Sequence, residues 1–331
     1  MKRRTDRRSF ILGSLTAAAL GPLLFARSAE AQAWPSRPVR FIVGLPAGGL
    51  SDLYARAYGE YVSKNIGQPV VVENRPGAGS IIACEAVAKS PADGYTFLFT
   101  IWTAIVVNQV LYKKLPYDPN KDFMFISLLD AGHLPLAVHK DVPAKNFREF
   151  VEFARKNRVT FGTFSAGSYA HMVAAQMNKL YGTQVEAVHF KGEAPMWVEL
   201  ATGRIHAAIG SQVGMSPHLQ KGAVRPIAVS GTTRSPKLPE VATFVEQEFY
   251  EPVFRLHGRI VLLGPAGLPR EIVERISKLV IAAADTPRLR EIHANFSIVE
   301  NPSTPEEFER RFREDGPVWM SLVRELGVTL D

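Results

Sequence analysis

The chain has 331 residues and a formal net charge of +7, with 46% apolar residues and a single cysteine. Six basic and two acidic residues in the first 33 carry +4 of that charge, which leaves +3 over the remaining 298. That balance gives no electrostatic footprint for nucleic acid, one thiol excludes an intrachain disulfide, and the length suits a large core in two domains.

Residues 1–33 have the pattern of a cleavable export signal. Lys2, Arg3, Arg4, Arg7 and Arg8 form a basic start, Phe10 to Phe25 is mostly apolar, and Ala31-Gln32-Ala33 is a small-x-small cleavage site. Arg7-Arg8-Ser9-Phe10-Ile11 resembles the twin-arginine motif, with Asp6 in place of the usual Ser or Thr. The apolar run is short and broken by Gly13, Gly21 and Pro22, which favours cleavage over a membrane anchor.

Val39 to Val43 then predicts a strand, Pro46 and Gly48-Gly49 a turn, and the run from Leu53 a helix capped by Ser51 or Asp52. A strand, a glycine turn and a helix start together present free N–H groups to an anion. Spacing does not match G-x-G-x-x-G, and no G-K-[ST] follows, so a small carboxylate fits better than a polyphosphate. A bare βα turn with no ligand is the alternative.

Strands are predicted at 69–74 and 95–100, with a helix over 80–89 between them; Cys84 in that helix reads as a small buried hydrophobe. Trp102 and Thr103 follow the third strand, where open α/β sheets bind ligands; core filler is the other reading of Trp102. From His133 the pattern restarts: a strand over 134–138, a helix over 146–156, a strand over 159–164, then Ser165-Ala166-Gly167-Ser168-Tyr169-Ala170-His171 and a helix to Leu180. This second small-residue turn at a helix start is the partner expected to clamp the same anion from across a cleft. Further strands are predicted at 185–189, 205–209, 224–229 and 259–263, a helix near 196–201, and two closing helices over 270–284 and 305–326. The alternation of short strands and helices predicts α/β architecture with mostly parallel sheets.

Eight scattered histidines make no metal-ligand spacing. Gly162 to Gly167 is one residue too long for a nucleophile elbow, leaving an exported hydrolase using Ser165 or Ser168 as a weaker reading.

The motifs Pro46-Ala47-Gly48-Gly49-x-x-Asp52, Gln68 to Gly79, Asp93-Gly94-Tyr95-Thr96, Leu111 to Pro119, Lys191-Gly192, Arg234-Ser235-Pro236-x-Leu238-Pro239 and Pro265 to Pro269 resemble, in order, the Bug family. These are the periplasmic solute-binding proteins of tripartite tricarboxylate transporters. The resemblance implies a two-lobed Venus-flytrap fold, with residues 34–132 plus 258–331 as one lobe and 133–257 as the other. It implies a small organic carboxylate in the interlobe cleft, no cofactor, no catalysis, a monomer in the periplasm, and membrane permease subunits or a sensor receptor as partners. Carried over residue by residue, the binding positions are Pro46, Ala47, Gly48, Gly49 and Asp52, then Trp102 and Thr103, then Ser165, Gly167, Ser168, Ala170 and His171. Asp52 is expected to cap the helix or hold the loop.

Three departures bear on the ligand: where many members have Ser-Thr-His after the third strand, this chain has Thr103-Ala104-Ile105. Many members have Phe-Asp-Ser where this chain reads Ile209-Gly210-Ser211-Gln212, so the carboxylate of that loop is missing. Arg259 stands where an aromatic residue is common, as a partner for a second carboxylate or as a surface cation. The expectation is an uncharged or dianionic acid rather than an amino acid, with Ser211, Gln212 and Arg259 at its far end.

Overall fold

The computed structural model describes residues 34–330; the expected export signal lies outside them. The chain first lays down β1 (Val39–Val43), α1 (Leu50–Ile66), β2 (Val70–Asn74), α2 (Ile81–Ala88) and β3 (Thr96–Ile101). Two helical turns, α3 (Trp102–Ile105) and α4 (Asn108–Leu111), lead to β4 (Phe123–Asp130). It then crosses into β5 (Pro135–His139), α5 (Phe147–Lys156), β6 (Arg158–Thr163), α6 (Tyr169–Tyr181), β7 (Gln184–His189), α7 (Glu193–Ala201), β8 (Ala207–Ile209), α8 (Gln212–Gln220), β9 (Val224–Val229) and α9 (Pro252–Arg255). It returns through β10 (Arg259–Pro265) and ends in α10 (Arg270–Ala283), α11 (Pro287–Phe296) and α12 (Pro305–Glu325).

Two five-stranded sheets result, ordered β2-β1-β3-β10-β4 and β7-β6-β8-β5-β9. In each, one strand runs against the rest: β10 is antiparallel to β3 and β4, and β5 to β8 and β9. The cause is the crossing itself. β4 ends at Asp130 at the edge where parallel strands present their carboxyl ends, and β5 begins five residues later at the matching edge of the second sheet. A strand entering there must run away from it, and β10 repeats the geometry on return. The α/β class with helix-flanked, mostly parallel sheets is as expected; one strand of each sheet runs antiparallel.

The sheets separate their faces by the period of two. Phe41, Phe97 and Phe99 pack under α1, α10 and α11, while Ile42 and Leu98 face α2 and α12. Cys84 is fully buried on the second face, and burial pushes its thiol up to about 12, so it is an inert core residue. α12 packs on β4 and reaches α6, where Trp319 lies 6.4 Å from Tyr169 and Glu325 pairs with Lys179 at 2.9 Å.

The elements not expected from the sequence are β4, α8, α9, α11 and the paired turns α3 and α4. β4 carries a buried Ser127 whose hydroxyl donates to the Ser303 carbonyl, which hides its strand pattern. α8 contains Gly214 and Pro217, both poor helix formers. α7 begins at Glu193, three residues before the expected start.

Both crossings meet at one buried carboxylate. Asp130 is 2% exposed and accepts from the N–H groups of Gly132, Val299 and Glu300 at 2.8, 3.0 and 3.2 Å. His257 Nε2 lies 2.9 Å from it. Gly132 sits at φ +79°, and a Cβ there would come within 2.2 Å of the Phe296 carbonyl oxygen, so only glycine fits this crossing.

Candidate functional site

The carboxyl ends of both sheets open into one cavity of about 680 Å³. Its first wall is the β1–α1 turn: Leu45, Gly48, Gly49, Leu50 and Ser51. Gly48 adopts φ +87° with no atom within 4 Å of a would-be Cβ, so glycine serves the turn's conformation rather than relieving crowding. α1 starts at Leu50, earlier than expected, and its N-cap Gly49 supplies no side-chain cap. The first-turn N–H groups of a 17-residue helix therefore face the cavity with the positive end of its dipole. Ser51, 4% exposed, adds a hydroxyl to the same turn.

Asp52 lies in the first turn but does not line the cavity. Its carboxylate accepts from Gly48 N, Asn74 Nδ2 and Arg56 Nε, each at 3.0 Å. Burial acts to raise its pKa, and these bonds, Arg56 first, outweigh burial and lower it. Asp52 thus holds the turn in shape, as expected of it. Pro46 and Ala47 belong to the turn but are not on the cavity wall.

Trp102 and Thr103 line the cavity at the start of α3. Trp102 is also core: its ring lies 6.2 Å from Phe308 and 5.9 Å from Phe312. Trp102 is at once part of the cavity wall and part of the core. Its Nε1 and the Tyr169 hydroxyl are buried without a hydrogen-bond partner, polar capacity left over at the wall.

The second lobe's wall differs from expectation. Phe164 and Tyr169 face the cavity, whereas Ser165, Gly167, Ser168, Ala170 and His171 do not line it. Ser168 caps α6 by accepting from His171 N, and His171 Nδ1 accepts from Gly167 N at 3.1 Å. Burial, with the neighbouring His189, lowers the His171 pKa to about 4, so the ring is neutral and braces the turn. A Cβ at Gly167 would lie 2.4 Å from Leu111 Cδ1: this turn presses on α4 of the other lobe. The two glycine turns look alike in composition, but one side-chain cap closes the second helix start and none closes the first.

At the far end, Ser211 and Arg259 line the cavity and Gln212 does not. Gln212 is 4% exposed and its side-chain carbonyl accepts from Ser235 and Ser297 at 2.7 and 2.9 Å. Arg259 is neither a free cleft cation nor a surface one. Its side chain is 10% exposed and grips Glu300 through two bonds of 2.6 and 3.0 Å. With Trp102 and Trp319 it lines both this cavity and a second one of about 640 Å³, whose wall also holds Arg255, His257, Glu300, Arg311 and Asp315.

Glu193 was missed in the sequence. It sits in the first turn of α7, lines the cavity, and accepts from Ser211 N at 3.0 Å and from the Ser211 hydroxyl. Burial raises its pKa, opposed by the Ser211 bonds. The loop after β8 lacks its own acid, yet a carboxylate stands against it, supplied by another helix. The signal was Gly192 followed by Glu193 and Pro195, a helix-start composition.

A model of the tripartite tricarboxylate transporter family receptor matches residues 54–328. A UPF0065 protein of Bordetella bronchiseptica is 33% identical over 78% of this chain and 77% of its own. Protein BugT of Bordetella pertussis is 28% identical over 92% of this chain and 94% of its own. Among solved structures, R. palustris Rpa4515 with adipate is 28% identical with a TM-score of 0.77, covering 89% of this chain and 99% of that one. The periplasmic binding protein BugD is 26% identical with a TM-score of 0.74, covering 89% and 99%. MatC of Rhodopseudomonas palustris with bound malate is 25% identical with a TM-score of 0.70, covering 87% and 99%.

Proposed function

The chain belongs to the tripartite tricarboxylate transporter receptor family, and on that premise we propose that it captures a small organic carboxylate between its sheets in the periplasm. The acid's carboxylate lies on the first-turn N–H groups of α1 and the Ser51 hydroxyl, with Thr103 beside them. The single observation that carries this reading is the long helix start, bare of a side-chain cap, at the wall of a large cavity. The ligand's body lies among Trp102, Phe164, Tyr169, Trp197 and Trp319. Closure about the Asp130 and His257 crossings covers it, and the closed form delivers it to the membrane subunits of a tripartite transporter. Residues 1–33 supply the export signal.

A thermal-shift screen of the purified protein, stripped of carried-over ligand by unfolding and refolding, tests this. An acid present at about 100 times its dissociation constant adds roughly 2.7 kcal/mol and raises the melting temperature by about 5 °C. No shift across mono-, di- and tricarboxylates, aromatic acids and amino acids would remove the receptor reading.

A further inference from the structure

The far end of the cavity has a chemistry of its own. Glu193 faces it with the Ser211 N–H and the Ser211 hydroxyl as neutral partners, while the buried Trp197 Nε1 has no hydrogen-bond partner. Among the described residues no ion pair joins a cation to Glu193: Arg259, which lines the same cavity, is held by Glu300, and His218 lines the cavity without an ion pair. Glu193 is half-buried at the cavity wall, and a carboxylate with reduced hydration favours a cation partner. Burial raises its pKa, and the Ser211 bonds only oppose that shift.

The cavity wall is rich in aromatic side chains. Three of the chain's four tryptophans, Trp102, Trp197 and Trp319, line this cavity, with Phe164 and Tyr169. Indole is the side chain that attracts a cation best. One end of the cavity therefore offers helix N–H groups to an anion, and the other offers an unpaired carboxyl within aromatic walls. A second carboxylate on the ligand would meet Glu193 with no guanidinium free to receive it.

We propose that the ligand is a carboxylic acid whose other end is an ammonium group, and that Glu193 is the residue that recognises that end. This rests on the carboxylate reading above for the first end only. The expectation of an uncharged or dianionic acid assumed that no carboxylate stood beside the β8 loop; Glu193 supplies one.

The test is calorimetric titration of the protein with acids matched in chain length and differing in the far group: 6-aminohexanoate, 6-hydroxyhexanoate, hexanoate and adipate, repeated at four and eight carbons. At the best length the amino acid binds at least tenfold tighter than the methyl-ended acid, and the diacid binds weakest. In Glu193→Gln, which keeps an acceptor for Ser211, the ratio between the amino and methyl-ended acids falls to within threefold of unity. Equal or tighter binding of the diacid, the hydroxy acid or the methyl-ended acid by the unaltered protein overturns the proposal and leaves the carboxylate receptor standing. An amino preference that persists in Glu193→Gln overturns the assignment to Glu193. Binding of none of the series, at any length, overturns the proposal outright, and the wider acid screen then decides the receptor reading separately.

Discussion

Ser51→Asp is expected to weaken binding of every carboxylate ligand at least 100-fold while the protein stays folded. Ser51 stands in the first turn of α1 at the cavity wall. A side-chain carboxylate there occupies the N–H groups that the ligand's carboxylate needs, and repels it. Two like charges about 4 Å apart at a protein surface interact by roughly 4 kcal/mol, near 1000-fold in affinity. The helix itself gains, because an acid in a first turn is favourable by about 0.3–1 kcal/mol. Ser51→Ala removes only a hydroxyl and is expected to cost about 1 kcal/mol, some fivefold. Titration of both variants with the best acid from the screen checks this, with the melting temperature as a fold control. Binding by Ser51→Asp within threefold of the unaltered protein would place the carboxylate somewhere other than α1.

The second large effect is at the crossings. Asp130→Ala leaves the N–H groups of Gly132, Val299 and Glu300 without their acceptor and His257 without its partner, all at the junction of the two sheets. Removing one member of such a buried set costs about 3–5 kcal/mol, a fall of roughly 5–10 °C in melting temperature for a chain of this size. The same carboxylate sets an acid limit. Burial acts to raise its pKa, but the His257 ring 2.9 Å away and the backbone N–H groups hold it well below the usual carboxylate range. A group whose folded pKa is depressed stabilises fully above its unfolded value, near 3.8, and that contribution is lost as the pH falls below it. Melting temperatures from pH 7 to pH 2.5 should therefore drop more steeply below pH 4 in the unaltered protein than in Asp130→Ala. Parallel curves would show that Asp130 carries no such linkage.

The first half of the site was legible because its chemistry is local. A β-branched strand, two glycines and a helix-forming run fix the turn within a dozen residues, and the free helix start follows from geometry alone. The second half was not. The run from Ser165 to His171 has the same small residues, but whether such a helix start is open depends on one bond, from His171 N to the Ser168 hydroxyl, and on the packing of Gly167 against Leu111, 56 residues earlier in the chain. Arg259 was readable as a cation and not as one already held, since Glu300 lies 41 residues away. Glu193 needed the start of α7 placed three residues earlier before it could face Ser211. β4 and the antiparallel placement of β5 and β10 depend on how the chain crosses between sheets, which no local pattern encodes.

The most direct measurement is a crystal structure of the protein with the tightest acid from the screen. The expected result is a carboxylate at hydrogen-bond distance, about 2.7–3.1 Å, from first-turn N–H groups of α1 and from Ser51 Oγ, with the sheets closed over it. A carboxylate seated instead on Arg259, or in the second cavity, would contradict the assignment of the α1 helix start as the anion site.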